Sequence, residues 1–234
     1  MNIACLCFDF SAVAAACAGT VATNDSWGEQ SAVCAEHPMV VGAHYVEMTL
    51  LEKGSFGAWM GVVGQGFDAA GGGEANESAE GWLLHTVSGR LLHAGMLINW
   101  EGMPQEEEIK QGDVVGLLLD VGQRTLSVYL NGARRGVMVA PGMKFRSGQA
   151  VAALAGPLRW AVDVRDGASV RIERKAAPGP VPSTEEVAAA CARCAPRGRD
   201  PHPPPTAADP PAAPPPCRSR PSSPAPPSRR AARR

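Results

Sequence analysis

The hydrophobic and polar positions between residues 20 and 175 form short segments, separated by turn residues every ~8 to 15 positions. In Arg124–Asn131, Leu126, Val128 and Leu130 share one face of a strand, and the residues between them share the other. No amphipathic helix of ten or more residues competes, so the pattern predicts an all-β, antiparallel two-sheet β-sandwich. The predicted strands are Ser31–Glu36, Ala43–Glu52, Ala58–Gln65, Trp82–Val87, Arg90–His93, Val114–Asp120, Arg124–Asn131, Arg135–Ala140, Arg159–Val164 and Ser169–Arg174.

The stretch from Val114 to Ala140 predicts a three-stranded meander. Its first segment, Val114–Leu119, is nearly all apolar, which is typical of a strand covered on both faces. Asn131-Gly132 is the strongest turn signal in the chain, because both residues tolerate the positive φ that a tight hairpin turn demands. Gly116 in the middle of a strand indicates close packing or a bulge.

The chain changes character after Lys175. Of its 21 prolines, 17 follow residue 177. Ser183-Thr-Glu-Glu186 is a capping box, so a short helix is predicted within a linker over residues 176–195. Residues 196–234 are rich in proline, alanine and arginine and predict a disordered tail. Residues 1–19 predict a poorly ordered or weakly packed leader, which leaves residues 20–175 as the folded domain.

The formal net charge of −1 conceals an uneven distribution. Acidic residues outnumber basic ones before residue 175, whereas the segment from Arg193 to Arg234 is strongly basic. A duplex-binding protein needs a basic face, so we expect no specific nucleic-acid partner for the folded part. The tail keeps a weak, salt-sensitive attraction for anionic surfaces.

The two ends of the chain indicate an intracellular protein. The apolar first 19 residues lack a basic n-region and are interrupted by Asp9, so they predict neither a signal peptide nor a membrane span. The chain has seven cysteines, of which only Cys34 falls in the candidate sandwich, as expected in a reducing compartment. We expect the cytoplasm, without excluding the nucleus.

Six stretches of the predicted sandwich form a recognisable pattern in order and spacing: Gly42–Glu47, Trp59–Val62, Gly81-Trp82, Gln111–Asp120, Thr125–Gly132 and Gly136-Val137. Together they resemble the SPRY domain family, and the resemblance covers residues 20 to 175. It implies a concanavalin-like sandwich of two bent sheets that acts as a protein-interaction module, presents its ligand surface on loops at one edge, and has no catalytic role. Val46 stands where family members usually have Trp, and the loop between Leu97 and Gly112 is long and acidic.

Residue patterns for catalysis, cofactors and metals are weak. Cys191-Ala-Arg-Cys194 is a lone CxxC, and a structural zinc site needs four ligands. Gly64-Gln-Gly66 begins a loose dinucleotide-type loop, but no helix follows to hold a pyrophosphate. Glu106 to Glu108 are three consecutive carboxylates in a polar loop, where solvated charge is the expected reading. We therefore expect no enzyme activity, no cofactor and no metal.

We expect a monomeric adaptor that binds a peptide segment of a protein partner through loops, since loops on a rigid scaffold commonly carry function. The candidate loops are Phe67–Glu80, Asn99–Gln111 and Pro141–Gln149. The candidate contact residues are Phe67, Asp68, Trp100, Met103 and Phe145.

Two further binding hypotheses come from other residues. In the tail, Arg218, Pro221 and Pro224 form the RxxPxxP pattern of ligands for SH3 domains, which bind a polyproline helix. The alternative to a peptide-binding module is a lectin-like sandwich, because concanavalin-like folds also bind sugars. The residue types for such a site are present in His85, Arg90, Asn99, Trp100 and Glu101.

Overall fold

A computed structural model of the protein describes residues 21–24, 29–34, 38–69, 72–179 and 183–194, the last range with side chains up to residue 189. The predicted leader (1–19) and tail (196–234), with Arg218, Pro221 and Pro224, lie outside these residues. The strands are β1 (Val21–Thr23), β2 (Glu29–Val33), β3 (Ala43–Glu52), β4 (Ala58–Gly64), β5 (Gly81–His85), β6 (Leu91–His93), β7 (Met96–Ile98), β8 (Val114–Asp120), β9 (Thr125–Leu130), β10 (Ala133–Val139), β11 (Leu158–Arg165) and β12 (Ser169–Arg174), followed by the helix α1 (Thr184–Cys194).

The strands form two six-stranded antiparallel sheets. Sheet I has the order β1-β12-β3-β8-β9-β10, and sheet II has the order β2-β11-β4-β5-β6-β7. The apolar side chains that alternate along each strand, such as Met48, Leu117 and Val128 in sheet I and Met60 and Val162 in sheet II, meet in one core between the sheets. The predicted two-sheet β-sandwich is confirmed.

The meander of β8, β9 and β10 is held by its turn residues. Asn131 and Gly132 have φ values of 51° and 78°, in the left-handed region that the Asn-Gly pair predicted. The Asn131 side chain accepts a hydrogen bond from the Val114 amide (2.9 Å) and donates one to the Asp113 carboxylate (2.9 Å). The β9–β10 turn is therefore tied to the beginning of β8.

Two strands have no counterpart in the sequence-based prediction. They are β1 and β7, each three residues long and each at the edge of its sheet. Three residues give too few positions for a two-residue period to stand out. The prediction for β2 was displaced toward its C-terminal end, since the strand runs from Glu29 to Val33.

The packed part of the chain continues past Lys175. Ala177 lies on a cluster of Tyr45, Leu118 and Tyr129 on the outer face of sheet I. The helix α1 then begins at a reciprocal cap, in which the Glu186 amide donates to Ser183 Oγ (3.2 Å) and the Ser183 amide donates to the Glu186 carboxylate (2.8 Å). Its Val187 is buried in the main core, so this segment packs on the sandwich, where the sequence had predicted a linker.

The register of the strands defines two ends of the sandwich. Thr49 pairs with Val114 in sheet I and Ala58 with Val164 in sheet II, and short loops join the sheets there. This first end carries the loops 53–57, 86–90, 99–113 and 166–168. The second end carries the loops 38–42, 65–80, 121–124 and 140–157.

Candidate interaction surface

The three loops predicted to bind a partner do not share one end of the sandwich. The loop 99–111 belongs to the first end, where it connects β7 with β8. The loops 67–80 and 141–149 belong to the second end. The expectation of one continuous binding edge made of all three loops is therefore wrong.

Trp100 holds its loop against the sandwich. Its side chain is only 4% exposed, and its Nε1–H donates to the carbonyl of Gly89 at 2.9 Å. The ring also lies beside Gly136 of β10. Met103 is partly buried against the same core. Because its ring and its one hydrogen-bond donor are both engaged inside the protein, Trp100 anchors the loop to the core.

Phe145 is likewise part of the core. Its ring stacks on His93, with 6.0 Å between the ring centroids, and His93 stacks in turn on Trp82 at 5.1 Å. His93 Nδ1 lies 2.7 Å from the Gly81 carbonyl, which fixes that nitrogen as the hydrogen-bond donor. Burial lowers the pKa of His93, so the ring is neutral in this stack.

Phe67 and Asp68 lie at the second end and differ in exposure. Phe67 is buried in a cluster on the outer face of sheet II, together with Trp59 and Val63. Its carbonyl accepts a hydrogen bond from Arg159 Nη2 at 3.2 Å. Asp68 is exposed. Of the five predicted contact residues, it is the one that is exposed, whereas Met103 is partly buried and the others are buried.

Two adjacent apolar side chains are exposed in the segment between Pro38 and β3. Val40 and Val41 are 58% and 73% exposed, although they are adjacent β-branched residues. They follow Met39, which pairs with Leu158 through two backbone hydrogen bonds of 2.7 and 3.1 Å. A pocket of about 270 Å³ is lined by Pro38, two positions before Val40. We call this surface the apolar rim; it consists of Val40, Val41 and the pocket residues Pro38, Gln65, Pro157 and Arg159.

Sequence reasoning missed the apolar rim because Pro38 to Val41 lie in the stretch before Gly42 that matches the SPRY pattern weakly. Two consecutive valines read as strand residues, which are usually buried on at least one face. Here they stand in a turn region just before β3, which begins at Ala43. The signal available in the sequence was that Val40 and Val41 form an apolar pair outside any predicted strand.

Two residues of the lectin alternative, His85 and Trp100, are engaged in internal contacts, whereas Asn99 and Glu101 are exposed. His85 stacks on Trp59 with 4.9 Å between the ring centroids, and its two ring nitrogens contact Ser88 Oγ and the Phe56 carbonyl. Trp100 is buried, so its ring offers no open face on which a sugar could stack. The geometry does not favour a sugar site at these residues.

A larger groove of about 770 Å³ runs between β10, residues 101–102 and α1. Its lining carries both charges, with Arg134 and Arg135 facing Glu101, Glu185 and Glu186. Arg134 pairs with Glu186 at 2.5 Å. Opposite charges already neutralise one another here, so the groove gives no clear signal for a charged ligand.

The described residues offer neither a cluster of metal ligands nor a membrane-spanning helix. No group of three or more His, Cys, Asp or Glu in this part of the chain is placed to hold a metal ion. None of its helices combines the length and the apolar character needed to cross a membrane.

Comparison with solved structures identifies the fold. The SPRY domain of human HERC1 superposes with a TM-score of 0.51 at 19% sequence identity, covering 66% of this chain and 88% of that one. A second human SPRY domain superposes with a TM-score of 0.52 at 15% identity, covering 71% of this chain and 96% of that one. No protein-family model matches the sequence, and no curated protein matches it either. The chain therefore has the SPRY-type β-sandwich fold, as the motifs predicted.

Proposed function

We propose that this protein is a non-enzymatic protein-interaction module that binds a peptide segment of a partner at the apolar rim. The observation that carries the proposal is the exposure of Val40 and Val41, which closely follow the pocket residue Pro38 in the chain. Exposed apolar surface next to a concave site is typical of interaction surfaces, because burying it on binding contributes about 25 cal/mol per Å².

The pocket also offers hydrogen bonding. A guanidinium has five N–H donors, and the Phe67 carbonyl accepts from one terminal nitrogen of Arg159. The remaining donors suit a carbonyl or carboxylate of an incoming peptide. We expect the peptide to place an aliphatic side chain against Val40 and Pro157 and an acceptor group near Arg159, with Asp68 at the border selecting against acidic neighbours.

The test uses the full chain as bait for a random peptide library. The affinity of enriched peptides is then measured by fluorescence anisotropy. We expect the double substitution Val40→Ser/Val41→Ser to weaken binding at least about tenfold, which corresponds to about 1.4 kcal/mol. Leu97→Ser is the matched control, because Leu97 is also an exposed aliphatic residue (50%) but lies outside the rim, on β7.

Equal binding by the wild type and the double variant would exclude the rim as the site. Binding lost equally in Leu97→Ser would show that the effect is not local. Thermal unfolding of each variant separates lost binding from lost folding. A glycan array run on the same protein tests the lectin alternative, and we expect no signal from it.

We further propose that the module works as a monomeric intracellular adaptor, with the tail as a second contact. Arg218, Pro221 and Pro224 lie outside the described residues, and the support for them is the RxxPxxP spacing alone. Capture of the full chain by a panel of SH3 domains tests this role. Arg218→Ala should abolish the capture without changing peptide binding at the rim.

A further inference from the structure

Asp163 is a carboxylate buried on the outer face of sheet II. It lies in β11, opposite Ser31 of β2 on one side and Trp59 of β4 on the other. Its side chain is 0% exposed, because residues 73–76 cross the sheet above it. A buried carboxyl group needs a full set of hydrogen bonds or a proton to be tolerated.

Four hydrogen bonds connect Asp163, Ser31 and the segment 73–76, and three of them involve Ser31. The Asn76 amide donates to Asp163 Oδ2 at 2.8 Å, and the Ala75 amide donates to Ser31 Oγ at 2.9 Å. Ser31 Oγ lies 2.6 Å from Asp163 Oδ1 and 3.3 Å from the Gly73 carbonyl. Ser31 is thus the centre of the connection.

The number of protons decides which of these bonds exist together. A serine hydroxyl has one proton and two lone pairs, whereas Ser31 has two acceptors and one amide donor as neighbours. If Asp163 carries a proton, it donates to Ser31, and Ser31 donates to Gly73, so every contact is satisfied. If Asp163 is ionised, Ser31 donates to the carboxylate, and the Gly73 carbonyl loses its donor.

The surroundings of Asp163 favour the protonated form. Burial raises the pKa of this carboxyl to about 7, against the opposing effect of its bonds to Ser31 and Asn76. The charge of Glu74, in the segment above, raises the pKa further. Glu29 and Arg165 pair at the ends of β2 and β11, and His85 stacks on Trp59 of β4. The other charged groups on β11 and in the loop 65–80 above it are Arg159, Asp68, Glu77 and Glu80.

We infer that Asp163 and Ser31 form a proton-controlled latch that fastens residues 73–76 to the outer face of sheet II. The protonated latch holds the segment at Gly73, Ala75 and Asn76. Ionisation releases Gly73 and leaves a buried charge that is relieved when the segment opens to water. No other molecule is needed for this step, because the proton exchanges with solvent.

The latch borders the apolar rim. A Cβ added at Gly73 would lie 3.7 Å from the Phe67 ring and 3.7 Å from the Asp68 carbonyl oxygen, and Phe67 in turn orients Arg159. Release of Gly73 therefore affects the positions of Phe67 and Arg159, and Arg159 lines the pocket. This consequence for binding rests on the proposed function, whereas the latch itself does not.

The sign of the pH effect follows from the raised pKa. The closed segment binds the proton more tightly than the open one, whose Asp163 has the ordinary value of 3.8. The latch is fully fastened below that pH, and its contribution is lost as the pH rises to about 7. Across this window the opening equilibrium grows by up to about tenfold per pH unit, and above it the effect levels off.

The test follows the full chain by NMR between about pH 4 and pH 8. We expect the carboxyl carbon of Asp163 to titrate well above the ordinary range. The hydrogen-exchange protection of the Ala75 and Asn76 amides, corrected for intrinsic exchange, should fall over the same interval. Titration near the ordinary Asp value, or protection independent of pH, would overturn the latch.

Three variants sharpen the result. Asp163→Asn mimics the protonated state, since its amide can donate to Ser31 and accept from Asn76, so protection should stay high at every pH. Asp166→Asn is the matched control, three positions further on at a positive φ that Asn tolerates, and should keep the wild-type profile. Ser31→Ala should lower protection at all pH values.

A wild-type pH profile in Asp163→Asn would also overturn the inference. Should that variant fail to fold, the titration of Asp163 in the wild type still decides the question. None of these measurements uses a peptide. A failure of the latch and a failure of the proposed binding function are therefore told apart.

Discussion

The phenol of Tyr45 lies directly over the backbone of Gly116. A Cβ built on Gly116 would stand 2.2 Å from Tyr45 Oη and 2.9 Å from Cζ. The two residues lie on neighbouring strands, since Glu47 of β3 pairs with Gly116 of β8. The ring also makes an edge-to-face contact with Tyr129, with 5.6 Å between centroids and 84° between planes. The absence of a side chain at Gly116 thus leaves the space that the Tyr45 ring occupies on sheet I.

Gly116→Ala is expected to lower the free energy of unfolding by about 1–3 kcal/mol, the usual cost of overpacking. The added methyl group must push Tyr45 away from Leu118 and Tyr129. Denaturant unfolding measures the change. Gly122→Ala is the control, because a Cβ there meets one atom, Asp120 Oδ1, at 3.3 Å.

The same experiment has an internal check. In the Tyr45→Ala background the clash disappears, so Gly116→Ala should then be nearly neutral. A double-mutant cycle should give a coupling between the two positions of about 1 kcal/mol or more. Additive effects would show that Gly116 is needed for another reason.

Much of the fold could be predicted from local patterns. The alternation of Leu126, Val128 and Leu130 placed them in the core, and Asn131-Gly132 placed a hairpin turn, because both depend on neighbours within a few residues. The apolar run of β8 indicated cover on both faces, and Leu118 is indeed buried on the outer face.

What covers a face could not be predicted. Ser127 and Tyr129 alternate with the core positions as solvent-facing residues would, yet both are buried. Tyr129 lies in the cluster that Ala177 covers, and Ala177 belongs to a segment that the sequence indicates as a linker. Such contacts join residues about fifty positions apart, so they leave no periodic pattern in the local sequence.

The candidate site was predictable to a smaller extent for the same reason. A large apolar residue in a polar loop, such as Trp100, looks the same in sequence whether it faces a partner or the core. The three-dimensional partner, here the Gly89 carbonyl, decides between these roles. The burial of Asp163 could not be predicted because the residues near it in sequence do not indicate that residues 73–76 cover it.

Trp100→Ala should lower the free energy of unfolding by about 3–5 kcal/mol, because it removes a buried aromatic side chain and leaves a cavity. The Gly89 carbonyl also loses its donor. Met96→Ala, on the exposed part of β7, should change stability little. A stable Trp100→Ala variant with altered peptide binding would instead return Trp100 to the partner-contact residues.

Detachment of α1 from the sandwich is expected in Val187→Asp. Among the helix residues whose side chains the structure describes, Val187 is the one buried in the main core, and burying a side chain of this size contributes about 2 kcal/mol. Amides of α1 should then exchange faster, while those of β9 stay protected. Glu185→Gln, on the exposed first turn, is the control and should leave α1 in place. Unchanged exchange in Val187→Asp would show that Arg134 and Glu186 suffice to dock the helix.

The stack of Trp82, His93 and Phe145 predicts a loss of stability in acid. Burial lowers the pKa of His93, so the folded state resists the second ring proton more than the unfolded state does. The contribution is therefore present above the ordinary value of 6.5 and is lost as the pH falls through the lowered pKa. His93→Gln, whose amide can still donate to the Gly81 carbonyl, should flatten this acid branch of the unfolding free energy.

The remaining acid sensitivity should come in part from His85, whose pKa burial also lowers. His44→Gln, in a more exposed part of the second end, is the matched control. Asp163 acts in the opposite direction, because its contribution is lost as the pH rises. His93→Gln and Asp163→Asn should therefore change the slope of stability against pH in opposite directions, and changes of the same sign would contradict the assignment of either group.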